Sequence, residues 1–252
     1  MKNLIKAEFY KLRKRKVFQF ILILNCVTIL YALGMYFEWG WIELQGKFDL
    51  INYSFGMWHL FFIMGIPLIA FMYIGANLVG TEISGGQIIL EVTRVADKRK
   101  VIYSKFIAML IIIVFYFISN ITLSILSYIF IVSKTQYATN SMLVIDTKNV
   151  HLIITSMGVL LYLILSTFFS MCISVKKKAI FSTVLGLVVY FILSLAIRVP
   201  NLQYWIPGYF ALAPDINLNS YFVVTIYQII VSLIIIALSV FIADKQFKKL
   251  DL

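Results

Sequence analysis

The sequence predicts an all-α membrane protein: six transmembrane helices, an amphipathic interfacial helix before the first, and a short helix on the charged side between the second and third. Three observations predict this. Hydrophobic residues make up 62% of the 252 residues and charged ones 13%, against about a quarter charged in a soluble domain. Six apolar stretches, near 17–37, 56–79, 101–132, 150–175, 179–198 and 221–243, are long enough for helices that cross about 30 Å of hydrocarbon, which takes about 20 residues. Polar residues separate these stretches instead of alternating along them, which excludes the strands of a transmembrane barrel.

Residues 1–16, MKNLIKAEFYKLRKRK, read as the amphipathic helix. Met1, Leu4, Ile5, Phe9 and Leu12 project onto one face, and Lys2, Lys6 and Arg13 onto the other. Such a helix lies in the interface with its basic face on anionic headgroups. Glu8 breaks the pattern, because it falls inside the apolar face. Either it pairs locally with Lys11, or the face packs on protein and Glu8 meets a basic partner there. Lys11 and Arg13 complete the candidate residues of this helix.

Span one carries Asn25 and Thr28 but no charge. Span two holds Pro67 near its middle, where a kink is expected, and Ala76 and Gly80 near its end, a small-residue pair that lets another helix approach. The stretch from Gly80 to Lys105, GTEISGGQIILEVTRVADKRKVIYSK, is the longest polar interruption on the basic side of the apolar chain. Ser84 stands three residues before Gln87, the spacing of a capping box. An apolar run, Ile88, Ile89, Leu90 and Val92, follows, and Asp97 is placed to cap the next helix. A short helix here is a docking surface between two spans. The third apolar stretch exceeds the bilayer, so its start up to Lys105 stands outside the hydrocarbon or the helix is tilted. A polar seam of Asn120, Thr122, Ser124 and Ser127 suits helix-to-helix hydrogen bonding. Ser166, Thr167 and Ser170 lead to a short Lys176–Lys178 turn. Pro200, Pro207 and Pro214 then punctuate an aromatic stretch before span six, which dips into the leaflet or caps the bundle.

Of the 22 basic residues, 18 fall on the side of the N-terminus, the 80–105 loop, Lys176–Lys178 and the C-terminal tail, and 4 on the other. Both termini are therefore expected in the cytoplasm. The net charge of +11 describes topology and lipid contact, not nucleic-acid binding. Trp39, Trp41, Trp58 and Trp205 all fall on the outer side, as an interfacial belt would. Cys26 and Cys172 lie inside spans, so no extracellular disulfide is expected. The first span is too long for a signal-peptide core and has no small-residue cleavage site behind it. The loops are too short for a second domain, which leaves one transmembrane domain over 1–252.

The residues exclude several chemistries. Ser84-Gly85-Gly86-Gln87 matches the SGGQ signature of ABC-type ATPases, but no P-loop accompanies it. The nearest approach, Gly40 to Lys47, has one residue too many between its glycines and is followed by Phe48. His59 and His151 have no Cys or acid at ligand spacing, so no metal site is expected. No catalytic set can be assembled, and the chain itself holds no cofactor. No Asp or Glu lies in the predicted spans. Ion-coupled transport normally uses such residues, whose central placement costs about 2.5–3.5 kcal/mol.

Over its whole length the chain resembles the permeases of type-2 ABC exporters. The likeness rests on MKNLIKAEFYKLRKRK before span one, six spans with both ends inside, the first inner loop, and the Pro- and aromatic-rich piece between spans five and six. In that family the loop holds an acid, a glycine, an apolar helix, an arginine and a lysine entering span three. Here these are Glu82, Gly85 or Gly86, Ile88 to Leu90, Arg94 and Lys105. The resemblance implies a half-transporter in a bacterial cell membrane. Glu82, Ser84, Gly85, Gly86, Ile88, Ile89, Leu90 and Arg94 would couple it to a separate ATPase subunit, which would hold ATP and magnesium. A second permease copy or a sister permease would complete the pore. Small size and the lack of an extracellular domain are similar to permeases of lantibiotic immunity and toxin-peptide export, implying a peptide substrate. Export of a drug, lipid or polysaccharide is the alternative within transport. A non-transport scaffold or sensor subunit is the alternative outside it.

The topology is testable with an impermeant thiol reagent on intact cells. Cysteines placed at positions 45 and 140 react and one at 95 does not; labelling at 95 from outside overturns the orientation.

Overall fold

The computed structural model describes residues 1–40, 46–95, 97–139, 141–144, 146–199, 203–209 and 221–249. Among these the chain forms nine α-helices and no strand: α1 (Lys2–Lys14), α2 (Val17–Tyr36), α3 (Leu50–Ile63), α4 (Ile66–Ser84), α5 (Gln87–Val92), α6 (Arg99–Phe130), α7 (Thr147–Ser174), α8 (Ala179–Ala196) and α9 (Tyr221–Lys248). Six of them, α2, α4, α6, α7, α8 and α9, are long and apolar enough to cross a membrane. Trp41, Pro200 and Pro214 lie outside the described residues, as does most of the Pro- and aromatic-rich stretch.

The expected kink at Pro67 is instead a break. Gly65 adopts φ +73°, and Pro67 lies in the first turn of α4, where its missing N–H sacrifices no helical bond. The second predicted span is thus α3 followed by α4. The two run in one sense along α7. The Trp58 indole donates to the Ser156 carbonyl at 3.2 Å, Gly75 faces Thr167 and Met171, and Gly80 faces Ser174.

A continuous apolar core is built by α3, α4, α6 and α7, with Phe71, Met72, Met109, Tyr116, Tyr162 and Met171 buried together. Helices α8 and α9 line its flank and leave wide apolar faces exposed, among them Phe181, Val188 and Phe191 of α8. This is where a membrane protein meets acyl chains or another apolar helix. The small-residue pair works within the chain: Ala76 is buried, and a Cβ on Gly80 would stand 3.2 Å from the Ser174 carbonyl oxygen and 3.3 Å from that of Lys177.

Helix α2 registers on α6 through amides. The Asn25 side chain donates to Ser119 Oγ at 2.8 Å, and Asn120 donates to Asn25 Oδ1 at 3.1 Å. The polar seam is therefore a helix–helix bond at Asn120, whereas Thr122 is exposed and bonds back to the Ile118 carbonyl. At the opposite end from the 80–105 loop, Asp49 caps α3 and accepts from Asn149, and Asp146 caps α7. The tryptophan belt is only partly an interface. Trp205 is exposed, but Trp58 is buried against Tyr116 and Phe117, because its indole N–H finds its partner in α7 and its ring fills the gap between α3 and α6.

Helix α6 is one uninterrupted run of 32 residues, about 48 Å at about 1.5 Å per residue. It outruns the hydrocarbon, so its first turns stand with α1 and α5 at the basic end. Lys16, at φ 59°, bends the chain between α1 and α2. The left-handed conformation costs a non-glycine residue about 1–2 kcal/mol, so the corner is held by what α1 packs on.

Gly80→Leu pushes α4 away from the backbone of α7. Overpacking of this kind costs about 1–3 kcal/mol, which appears as a lowered melting temperature of the purified chain in detergent. Gly56→Ala, facing only Asn52 Oδ1 at 3.9 Å, does not lower that temperature, because alanine is the better helix former.

Candidate functional site: a buried ion network at the basic end

On α1, Glu8, Lys11 and Arg15 recur at intervals of three and four residues and so share one face of the helix and its continuation. That face is turned inward with Leu12, which is fully buried, and lies along the start of α6. Three other charged residues come to meet it. Glu82 stands in the last turn of α4, Glu91 in α5, and Lys105 in the second turn of α6.

Lys105 is fully enclosed, and Glu82 and Glu8 are 1% and 2% exposed. The Lys105 ammonium bonds Glu8 Oε1 at 2.9 Å, contacts Glu82 Oε2, and lies 3.5 Å from Glu91 Oε2. The Lys11 ammonium reaches the same three acids: Glu8 Oε1 at 2.7 Å, Glu82 Oε2 at 2.9 Å and Glu91 Oε1 at 2.6 Å. Arg15 closes the set at 3.1 Å from Glu82 Oε1. Three carboxylates thus face three cations and the cluster is neutral. The three acids offer oxygens within 4.8 Å of one another, and the two ammonium groups already supply the positive charge there.

Burial pushes the Glu8 carboxyl above its ordinary value, against the opposing charges of Lys105 and Lys11. Burial works against the Lys11 charge, but Glu8, Glu91 and Glu82 outweigh it and hold the ammonium above its ordinary range. Lys11 therefore contributes its stability fully below its ordinary value of 10.5 and loses it as pH rises through the higher folded value.

The turn from α4 to α5 is made by Gly85 and Gly86. Gly86 takes φ +69°, and a Cβ on Gly85 would meet the Thr81 carbonyl at 2.9 Å. The capping box expected at Ser84 does not form. Ser84 is the last residue of α4 and donates back to the Thr81 carbonyl, and Gly86 is the residue that begins α5. Helix α4 runs one turn further than the pattern implied, so the serine terminates one helix instead of starting the next. Asp97 does cap, accepting the Arg99 N–H at 3.1 Å.

Of the apolar run, Ile88 is fully buried in the chain's own core, while Ile89 is 43% and Leu90 63% exposed. Arg94 and Arg13 are exposed and stand outside the network. Sequence reasoning selected Glu8, Lys11 and Glu82, but missed that Arg15, Glu91 and Lys105 join them. Arg15 was findable, since it repeats the spacing of Glu8 and Lys11. In the sequence Lys105 stands only as the lysine entering span three, because no periodicity distinguishes a buried lysine from an interfacial one.

The basic end of the helical bundle thus carries a short helix clamped by the ion network, with Ile89 and Leu90 turned outward. The family model described as "ABC-2 family transporter protein" matches residues 4–194, from α1 into α8, and the chain belongs to that family. It is a permease subunit of an ABC transporter, in a family whose members pair with an ABC ATPase subunit. Comparison with curated proteins and with solved structures returned no match.

Removing one partner of a buried charge pair costs about 3–5 kcal/mol, whereas an exposed surface change stays within about 0.5 kcal/mol. Lys105→Met and Glu8→Ala should therefore lower the melting temperature of the purified chain far more than Lys2→Ala. Lys105→Met combined with Glu82→Gln should recover part of the loss of Lys105→Met. Equal effects of Glu8→Ala and Lys2→Ala on melting and on ATPase co-purification contradict a buried role for Glu8.

Proposed function

We propose that this chain is the permease of an ATP-driven exporter of amphipathic or antimicrobial peptides, with both termini in the cytoplasm and α5 as its coupling helix. The observation that carries the coupling reading is the split of the apolar run. Ile88 and Val92 anchor α5 in the chain while Ile89 and Leu90 face outward beside exposed Arg94. Burying one such side chain in a partner is worth about 1.5–3 kcal/mol, whereas an exposed ion pair gives about 0–1 kcal/mol. Ile89 and Leu90 therefore dominate docking to the ATPase, which holds ATP and magnesium, and Arg94 sets register.

Closure of two ATPase subunits pushes on α5. The network passes that push to α4 through Glu82, to α6 through Lys105 and to α1 through Glu8 and Lys11. Helix α1 lies at the membrane interface, and a second permease subunit, a copy or a sister, faces this one across the pore. The peptide class is supported by the apolar faces of α8 and α9, which suit amphipathic cargo taken from the bilayer.

Ile89→Asp and Leu90→Asp should leave the spans inserted and the chain stable, while lowering ATPase co-purification at least about tenfold, the effect of losing one buried aliphatic side chain. Ile88→Asp should destabilise the chain itself. Arg94→Ala should be milder and more sensitive to salt. Export is read as survival of permease-expressing cells challenged with amphipathic cationic peptides. Normal assembly and export by both exposed aspartate variants removes α5 as the coupling element. Intact coupling without peptide protection leaves a drug, lipid or polysaccharide as cargo.

A further inference from the structure

Between the α1–α2 corner and α4 lies an open groove of about 280 Å³, lined by Val17 and Phe20 on one wall and Ala70, Tyr73 and Ile74 on the other, with Arg15 at its mouth. Its walls are apolar, and Arg15 is the cation that lines it; Arg13, Lys14 and Lys16 are its neighbours in sequence. Arg15 is 31% exposed and gives a single guanidinium nitrogen, Nη2, to Glu82. A guanidinium carries five donors in a planar fork that matches a phosphate.

We propose that this groove binds one anionic glycerophospholipid of the leaflet at the basic end, with its phosphate on Arg15 and an acyl chain along Val17, Phe20, Ala70, Tyr73 and Ile74. Charge complementarity selects this occupant: an apolar slot with the Arg15 guanidinium at its mouth fits a molecule with an apolar tail and a negative head. A second copy of the chain would bring its own basic corner against this one. The site also reaches the ion network, because the arginine that meets the phosphate is the one that holds Glu82. Lipid headgroup and Glu82 share one cation, so the lipid tunes how tightly α4 is tied to α1. The inference rests on the geometry of the groove and stands whether or not peptides are the cargo.

Native mass spectrometry of the purified full chain, offered phosphatidylglycerol and phosphatidylcholine with identical acyl chains, tests it. The expected result is one retained phosphatidylglycerol, preferred about fivefold or more, in line with about 1 kcal/mol per basic residue near an anionic surface. Arg15→Gln abolishes the headgroup preference, and Arg15→Lys keeps part of it. Ala70→Phe, which fills the slot and leaves the ion network intact, loses the bound lipid of either kind. Equal retention of the two lipids by the unaltered chain overturns the proposal, as does a preference that survives Arg15→Gln. Retention surviving Ala70→Phe overturns the acyl slot. Efficient cross-linking of Tyr73→Cys between two chains shows that a second copy occupies the face and likewise overturns it.

Discussion

The structure depends on one constraint: three charges removed from water, Glu8, Glu82 and Lys105, must be answered at one place, where three partly exposed charges join them. Lys105 is fully enclosed, and an isolated ammonium so placed would lose several kcal/mol of hydration. It is tolerable because Glu8, Glu82 and Glu91 surround it, and those three acids are tolerable because Lys11 and Arg15 complete the balance. Glu8, Lys11 and Arg15 come from α1 and its end, Glu82 from α4, Glu91 from α5 and Lys105 from α6, so the balance exists only when these four helices are assembled. Buried ion pairs give little net stability against an apolar alternative, but breaking one leaves an uncompensated charge. The network therefore penalises every other arrangement of these helices more than it stabilises this one. That is the property a linkage needs if it is to pass a push from a six-residue helix to three long ones.

Around this cluster the packing divides the labour. The Gly85–Gly86 turn and the buried Ile88 and Val92 fix the direction of α5, while Gly80 against the α7 backbone fixes α4. The amide bonds of Asn25 and Asn120 set α2 against α6. Helices α8 and α9 are held by fewer enclosed residues and present apolar faces outward. Stiffness is concentrated at the basic end and along α4, α6 and α7, and the flank is left free to meet lipid or another subunit.

Most of the fold was legible because membrane spans announce themselves by composition, and the limits of α2, α7 and α8 follow from runs bounded by charge. The break at Gly65 was hidden because Pro67 drew attention to itself, whereas a proline in a first helical turn is a start signal. Ser84 misled because a capping-box spacing says nothing about where the preceding helix ends. The site was half legible. Glu8 stood out as a charge on an apolar face, and Glu82 and Lys105 were tied to the loop by family likeness. That all of them share one cluster with Glu91 is a fact of tertiary contact, at separations of up to 97 residues, which no local pattern encodes.

The central claim, that the ion network clamps α5 to α1 as one rigid unit, is tested most directly by a distance measured between spin labels at the exposed positions Lys6 and Arg94 in the purified chain. The account predicts one narrow distribution in the otherwise unaltered protein. It predicts a broad distribution when Glu91→Gln or Lys105→Met removes a member, while a control pair on α3 and α7 stays narrow. A narrow Lys6–Arg94 distribution that survives both substitutions would contradict it.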